Sequence, residues 1–231
     1  MSNQAAVVGS GTHRYEVHED WARAPEGVPD SRGLNLFDAD PSFRGLIELH
    51  LGAPLAAHLQ AHFAELGSLV GAELDELALV SDKHPPQLEG QAIRKHASYR
   101  KLEEVAFGKY GLAAMSHRDG VLGWPEPLPP AAKYALTYLY VQAEFGVCCP
   151  LSMTDALTRT IRKFADPALV ARYLPGLTSQ DMDTLTQGAM FMTEQGAGSD
   201  VGAKMTDPAT RFSSGAPGNS SRVGVRSATV T

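Results

Sequence analysis

Ala189-Met190-Phe191-Met192-Thr193-Glu194-Gln195-Gly196-Ala197-Gly198-Ser199-Asp200 is the stretch on which the fold of this chain turns. An apolar run, Ala189 to Met192, leads into the polar pair Thr193 and Glu194 and then into a turn of Gly196, Ala197 and Gly198. A short apolar run closed by glycines predicts a buried strand. That strand delivers Thr193, and the loop behind it offers backbone N–H groups, the Ser199 hydroxyl and the Asp200 carboxylate. Small residues let backbone approach a ligand closely, and successive N–H groups in such a loop suit anionic or carbonyl oxygens. An ordinary strand-to-loop turn is the competing reading, because glycine-rich matches also recur without function.

Upstream of this strand the pattern is helical. Residues 1–34 are rich in Gly, Pro and charge and predict an extended or poorly ordered arm. Order is expected from Asn35-Leu36-Phe37 onward. Asp40-Pro41 and Asp166-Pro167 each set an Asp N-cap before Pro in the first helical position. Leu55, Leu59, Phe63, Leu66 and Val70 share a helical face, which Leu74, Leu77 and Ala78 extend past Gly67 and Gly71. Pro85-Pro86 forbids helix beyond it. Residues 87–104 are less regular, with an extended piece expected around residues 98–101, and residues 105–115 return to helix.

Residues 124–130 carry prolines and predict a loop. Ala132, Leu136, Leu139, Tyr140, Ala143 and Val147 then form one apolar stripe, ended or kinked at Gly146 and Pro150. Met153, Leu157, Ile161 and Phe164 form another. A shorter helix carries Leu169, Val170, Tyr173 and Leu174 and stops at Pro175-Gly176, and Thr178 with Asp181 suggests one more turn. The expected organisation is an arm at 1–34, a helical bundle at 35–187, a strand and loop at 188–203, and an irregular tail at 204–231.

Met192-Thr193-Glu194 followed by Gly196-Ala197-Gly198-Ser199-Asp200 resembles the flavin-binding signature of the acyl-CoA dehydrogenase family. The usual Pro after the Thr-Glu pair is Gln195 here. With that departure, His84-Pro85-Pro86-Gln87-Leu88 and Cys149-Pro150-Leu151-Ser152-Met153-Thr154 are similar to the AidB-like branch, the adaptive-response and isovaleryl-CoA dehydrogenase-like homologues. The resemblance covers about residues 35–203. It implies a mainly α fold class: the N-terminal helical bundle domain of the acyl-CoA dehydrogenase fold, then the start of its middle β-domain, then the irregular tail.

The same resemblance implies FAD as cofactor and an oxidoreductase acting on CH–CH bonds of acyl-CoA thioesters. The flavin-lining positions it carries over are Met190, Phe191, Met192, Thr193, Glu194, Gln195, Gly196, Ala197, Gly198 and Ser199, with Ser199 also on the substrate side. It implies no catalytic residue within this chain, since the family's general base is a Glu of the C-terminal half. Glu194 reads as an orienting group that accepts loop N–H bonds. In the branch, DNA binding is attributed to a C-terminal region, and a DNA-alkylation-protection protein is an alternative that the resemblance implies. A helical interaction or oligomerisation module, including a homo-oligomer, is the alternative from another class.

After Ala203 the chain departs from the family. Residues 204–231 are rich in Ser, Thr, Gly and Arg without sustained alternation, too little apolar surface to offset ordering entropy. A truncated or frame-shifted chain, inactive alone, is one reading, and a natural short form with a flexible tail is the other.

Composition limits the remaining classes. The 231 residues carry a formal net charge of -6 and two cysteines. That acidity argues against a dedicated nucleic-acid binder. No apolar run reaches membrane-spanning length and the first residues lack an export pattern, so a cytoplasmic protein without a membrane partner is expected. Cys148 and Cys149 are adjacent, neither a disulfide framework nor a metal spacing, and read as small buried groups at a helix end. His58 and His62 share a face at i,i+4 without a third ligand, so no metal site is assigned. His84 and His96 show no sequence partner, and Arg94, Lys95, Arg100 and Lys101 read as a solvated basic face.

Overall fold

The computed structural model describes residues 30–89 and 92–190, together with strand backbone at Val7–Val8, Tyr15–Glu16 and Val223–Ser227. Helices dominate, and the strands form three two-stranded antiparallel pairs. Val7–Val8 (β1) pairs with Tyr15–Glu16 (β2) inside the expected arm.

Local chemistry sets the first helices. Asn35 caps Leu36–Ala39 (α1), its side-chain oxygen accepting the Phe37 and Asp38 N–H groups. Asp40 caps Pro41–Leu51 (α2) by accepting from Phe43 N–H, with Pro at the start of the helix as expected. Ala53–Leu69 (α3) widens into a π-helical turn at Val70–Leu74 and resumes as Asp75–Lys83 (α4).

Leu59, Phe63, Leu66, Val70 and Leu74 are almost wholly enclosed, as their shared face requires. Phe37 stacks on Phe63 at 5.4 Å, and Phe43 meets both rings edge-on. Gly67 and Gly71 make this contact possible. A Cβ on Gly67 would collide with the Asn35 side chain and the Phe37 N–H, and one on Gly71 with the Leu34 carbonyl. The Gly33 N–H donates to the Gly71 carbonyl at 2.6 Å.

The irregular stretch resolves differently from the expectation. Gln87–Glu89 (β3) and Ala92–Arg94 (β4) form a hairpin, and residues 98–101, expected as extended, lie within helix Ala97–Glu103 (α5). His96 supplies the reason: its Nδ1 accepts the Ser98 N–H, capping a helix that buries Ser98, Leu102 and Glu103. A second π-helical turn, Glu104–Lys109, ends at Tyr110 and a left-handed Gly111, so this helix is shorter than the expected 105–115.

The long stripe through Val147 is also broken early. Pro130–Tyr140 (α6) stops where the Glu144 carboxylate accepts from the Gly146 and Val147 N–H groups, tying the backbone into a turn. Cys148–Phe164 (α7) starts there, with Pro150 in its first turn, where no N–H is needed. Pro167–Leu177 (α8), capped by Asp166, runs through Pro175 and closes one residue past Gly176. Thr186–Met190 (β5) begins two residues before the predicted start and pairs with Val223–Ser227 (β6). That last strand lies within the segment read as irregular.

Among the described residues no helix is long and apolar enough to cross a membrane.

Candidate functional site

The β5 strand is the segment that leads to the proposed flavin loop, and polar contacts pin it to the helical bundle. The Gly188 N–H donates to the Thr154 hydroxyl on α7 at 2.9 Å, while that hydroxyl donates to the Pro150 carbonyl at 2.7 Å. At Gly188 a Cβ would come within 2.6 Å of the Met153 carbonyl oxygen and 2.9 Å of the Thr154 Cα. Only glycine lets this strand lie directly on the helix backbone. One residue earlier, the Gln187 amide donates to the buried Glu103 carboxylate at 2.9 Å, which also accepts from Lys95 at 2.5 Å.

Of the residues carried over from the sequence signature, Met190 ends β5. Phe191, Met192, Thr193, Glu194, Gln195, Gly196, Ala197, Gly198 and Ser199 lie outside the described residues. What the structure describes is the strand that precedes them in sequence, with the helix and side chains that hold it.

A second constellation was not legible in the sequence. His117, Lys133 and Asp155, far apart in the chain, converge where α6 meets α7. His117 donates through Nε2 to one Asp155 oxygen at 2.8 Å, and Lys133 donates to the other at 2.8 Å. An ionised carboxylate only accepts, which assigns the proton to Nε2. The side chains of His117 and Lys133 are enclosed, Asp155 nearly so, and Arg159 stands 3.7 Å from the carboxylate with its own side chain exposed. Burial by itself would push the Asp155 carboxyl upward, but the hydrogen bonds from His117 and Lys133 outweigh it and hold the group down at about 2. This group borders a cleft of about 440 Å³ between α6 and α7.

An apolar groove of about 350 Å³ lies on the other side of Tyr134, between α2 and α6, with Leu46, Tyr134 and Tyr138 exposed along it.

The remaining candidates resolve into structural roles. His58 hydrogen-bonds the Leu122 carbonyl at 2.9 Å and packs on Trp124, with His62 5.9 Å away between ring centres. Among the described residues no three His, Cys, Asp or Glu side chains gather as metal ligands. Arg94, Lys95 and Lys101 are each paired with a glutamate. The cysteines do begin a helix, but Cys149 is exposed and Cys148 half-buried, which corrects their reading as buried groups. His84 and His96 stack at 4.3 Å, a pairing invisible in sequence, and burial followed by the neighbouring His84 lowers the His96 pKa.

Comparison with known proteins places this geometry. Residues 27–184 match the family model described as the adaptive response protein AidB N-terminal domain. The chain is 31% identical over 163 residues to AidB of Escherichia coli (strain K12), whose name gives it as a candidate acyl-CoA dehydrogenase, over 62% of this chain and 29% of that protein. The solved apo form of Bd2924 superposes with a TM-score of 0.63 at 27% identity, covering 74% of this chain and 34% of that one. Caenorhabditis elegans ACDH-11, solved in complex with C11-CoA, superposes with a TM-score of 0.62, over 78% of this chain and 32% of that one. At 20% identity the latter shows a shared fold alone. The chain spans about a third of the length of these relatives.

Proposed function

Because the chain belongs to the AidB N-terminal domain family, the AidB-like branch of the acyl-CoA dehydrogenases, we propose that it forms the helical wall and first flavin-contacting strand of an FAD-dependent acyl-CoA oxidoreductase. The observation that carries this reading is the pinning of β5. Gly188 on Thr154 and Gln187 on Glu103 hold the strand against the bundle just before Met190, from which residues 191–199 continue. In this reading Thr193, Ser199 and the backbone N–H groups of residues 196–198 would hold the flavin ring, and Ser199 would also serve the substrate side. The chemistry the flavin supplies when bound is acceptance of hydride from the β-carbon, paired with loss of the α-proton to a base. This chain contributes orientation and enclosure, and the base belongs to the family's C-terminal half. The 231-residue chain alone therefore holds FAD weakly and does not turn over acyl-CoA.

The test is a titration of FAD with the purified chain, read by flavin fluorescence and by absorbance between about 350 and 500 nm, where flavins absorb. Weak saturable quenching is expected, with loss of colour on desalting and loss of binding in Gly198→Val. Absence of any saturable binding would sink the reading. Flavin retained in stoichiometric amounts would overturn its second half.

A second reading, a helical interaction module, is favoured by the exposed groove between α2 and α6. It predicts a concentration-dependent increase in oligomer size that Leu46→Asp abolishes, measured by light scattering.

A further inference from the structure

The cleft between α6 and α7 has an apolar part, formed by Leu112, Leu151, Met153 and Ala156, a hydroxyl-bearing part, Thr137, Ser152 and Thr160, and a charged part where Lys133, Asp155 and Arg159 stand together. Its volume, about 440 Å³, lies within the range of small-molecule sites, which are concave, largely apolar and oriented by a few polar groups.

The charge in that last part is unbalanced. Lys133 and Arg159 are both basic side chains, and among the described residues Asp155 is the one carboxylate paired with them. His117 adds another donor to that same carboxylate. An ammonium has three N–H donors, and Lys133 gives one to Asp155 and lies over the Tyr134 ring at 4.6 Å. Arg159 reaches Asp155 only at 3.7 Å, beyond hydrogen-bond length, and its side chain is exposed, so the guanidinium has N–H donors that Asp155 does not use along the cleft it lines.

The enclosure of the pair makes this arrangement costly. Buried ion pairs are often matched or exceeded in stability by apolar side chains of the same volume. Lys133, with its side chain 5% exposed, therefore holds an enclosed charged group that packing alone does not call for. Low-dielectric walls also strengthen the attraction of such a site for an anion.

We propose that this cleft binds a small organic anion, its carboxylate head held by Arg159 and Lys133 and its apolar body lying along Leu112, Leu151 and Met153. Asp155, kept ionised by His117 and Lys133, fixes the lysine and leaves one net positive charge for the ligand. The site is independent of the flavin reading, since none of its residues lies in the 190–199 segment.

The experiment is calorimetric titration of the full chain at neutral pH with three probes: hexanoate, hexanol and inorganic phosphate. Hexanoate is expected to bind, and hexanol and phosphate to bind at least about tenfold more weakly, the loss anticipated when a charge-assisted contact or the apolar contact is missing. Arg159→Gln, at an exposed side chain that leaves the core intact, should weaken hexanoate by about tenfold or more, with Arg159→Lys restoring part of the loss. Arg172→Gln, outside the cleft, should change nothing. Equal affinity for hexanol, equal affinity for phosphate, hexanoate binding unaltered by Arg159→Gln, or no hexanoate binding at all would each overturn the proposal.

Discussion

At two seams among the described residues one segment lies on the backbone of a helix where a glycine leaves no room for a Cβ. At the first, residues 34–37 lie on Gly67 and Gly71 and the contact is closed by stacked aromatic rings, Phe37 on Phe63 with Phe43 at their edges. At the second, β5 lies on α7 at Gly188 and the contact is closed by hydrogen bonds, from Gly188 to Thr154 and from Gln187 to Glu103. Apolar closure is non-directional and scales with area, whereas a hydrogen bond fixes direction and contributes little net stability. The first seam therefore stabilises the domain, and the second orients the strand that leads to the candidate cofactor loop.

The largest effect should come from the first seam. Phe63→Ala removes a ring with no measurable exposure and leaves a cavity between Phe37 and Phe43. A loss of about 3–5 kcal/mol is expected by urea denaturation. A loss under about 1 kcal/mol would mean that this seam does not carry the core.

Next stands the ionic group that joins α6 to α7 beside the second seam. Asp155→Asn leaves Lys133 enclosed without its counter-charge, and a loss of about 3 kcal/mol is expected. The same group sets an acid limit. Because the folded carboxyl is held at about 2, below its ordinary 3.8, the stabilisation it gives is fully present above pH 3.8. It is lost as the pH falls from there through about 2. Acid unfolding followed by circular dichroism should show this loss in the native chain and not in Asp155→Asn.

The seams also differ in how readable they were. Leu55, Leu59, Phe63 and Leu66 announce their shared face through spacing alone, and Asp40-Pro41 announces a helix start, because both signals are local. The Asp155 group could not be read: its members come from a loop and two helices, and no periodicity links His117 to Lys133. His96 misled for a related reason, since a histidine capping a helix leaves no strong signature and residues 98–101 then read as extended. The strand that leads to the proposed flavin segment was legible because an apolar run closed by glycines is written in consecutive residues. What anchors it, Glu103 and Thr154, was not, because each sits inside a helical pattern that predicts only packing.

Gly188→Ala tests the close approach at the second seam. The added methyl would meet the Met153 carbonyl and the Thr154 Cα, both backbone atoms that cannot swing aside. A loss of about 2 kcal/mol is expected, with faster amide exchange in β5 than in α3. Unchanged exchange in β5 would show that the strand is held from its β6 side instead.

The smallest expected change is the most informative about orientation. Thr154→Val preserves shape but removes the hydroxyl that accepts from Gly188 and donates to Pro150. The Gly188 N–H is then left inside the seam without its acceptor, at a cost of about 1 kcal/mol. If the bond merely adds stability, a compensating substitution remote from the seam should restore native behaviour in full. If it sets the direction of β5, as the geometry implies, stability can be restored while weak FAD binding stays impaired. Flavin titration of the Thr154→Val chain in a stabilised background separates the two: recovered affinity would reduce the second seam to a weaker copy of the first, and persistent loss would establish it as the element that aims the strand.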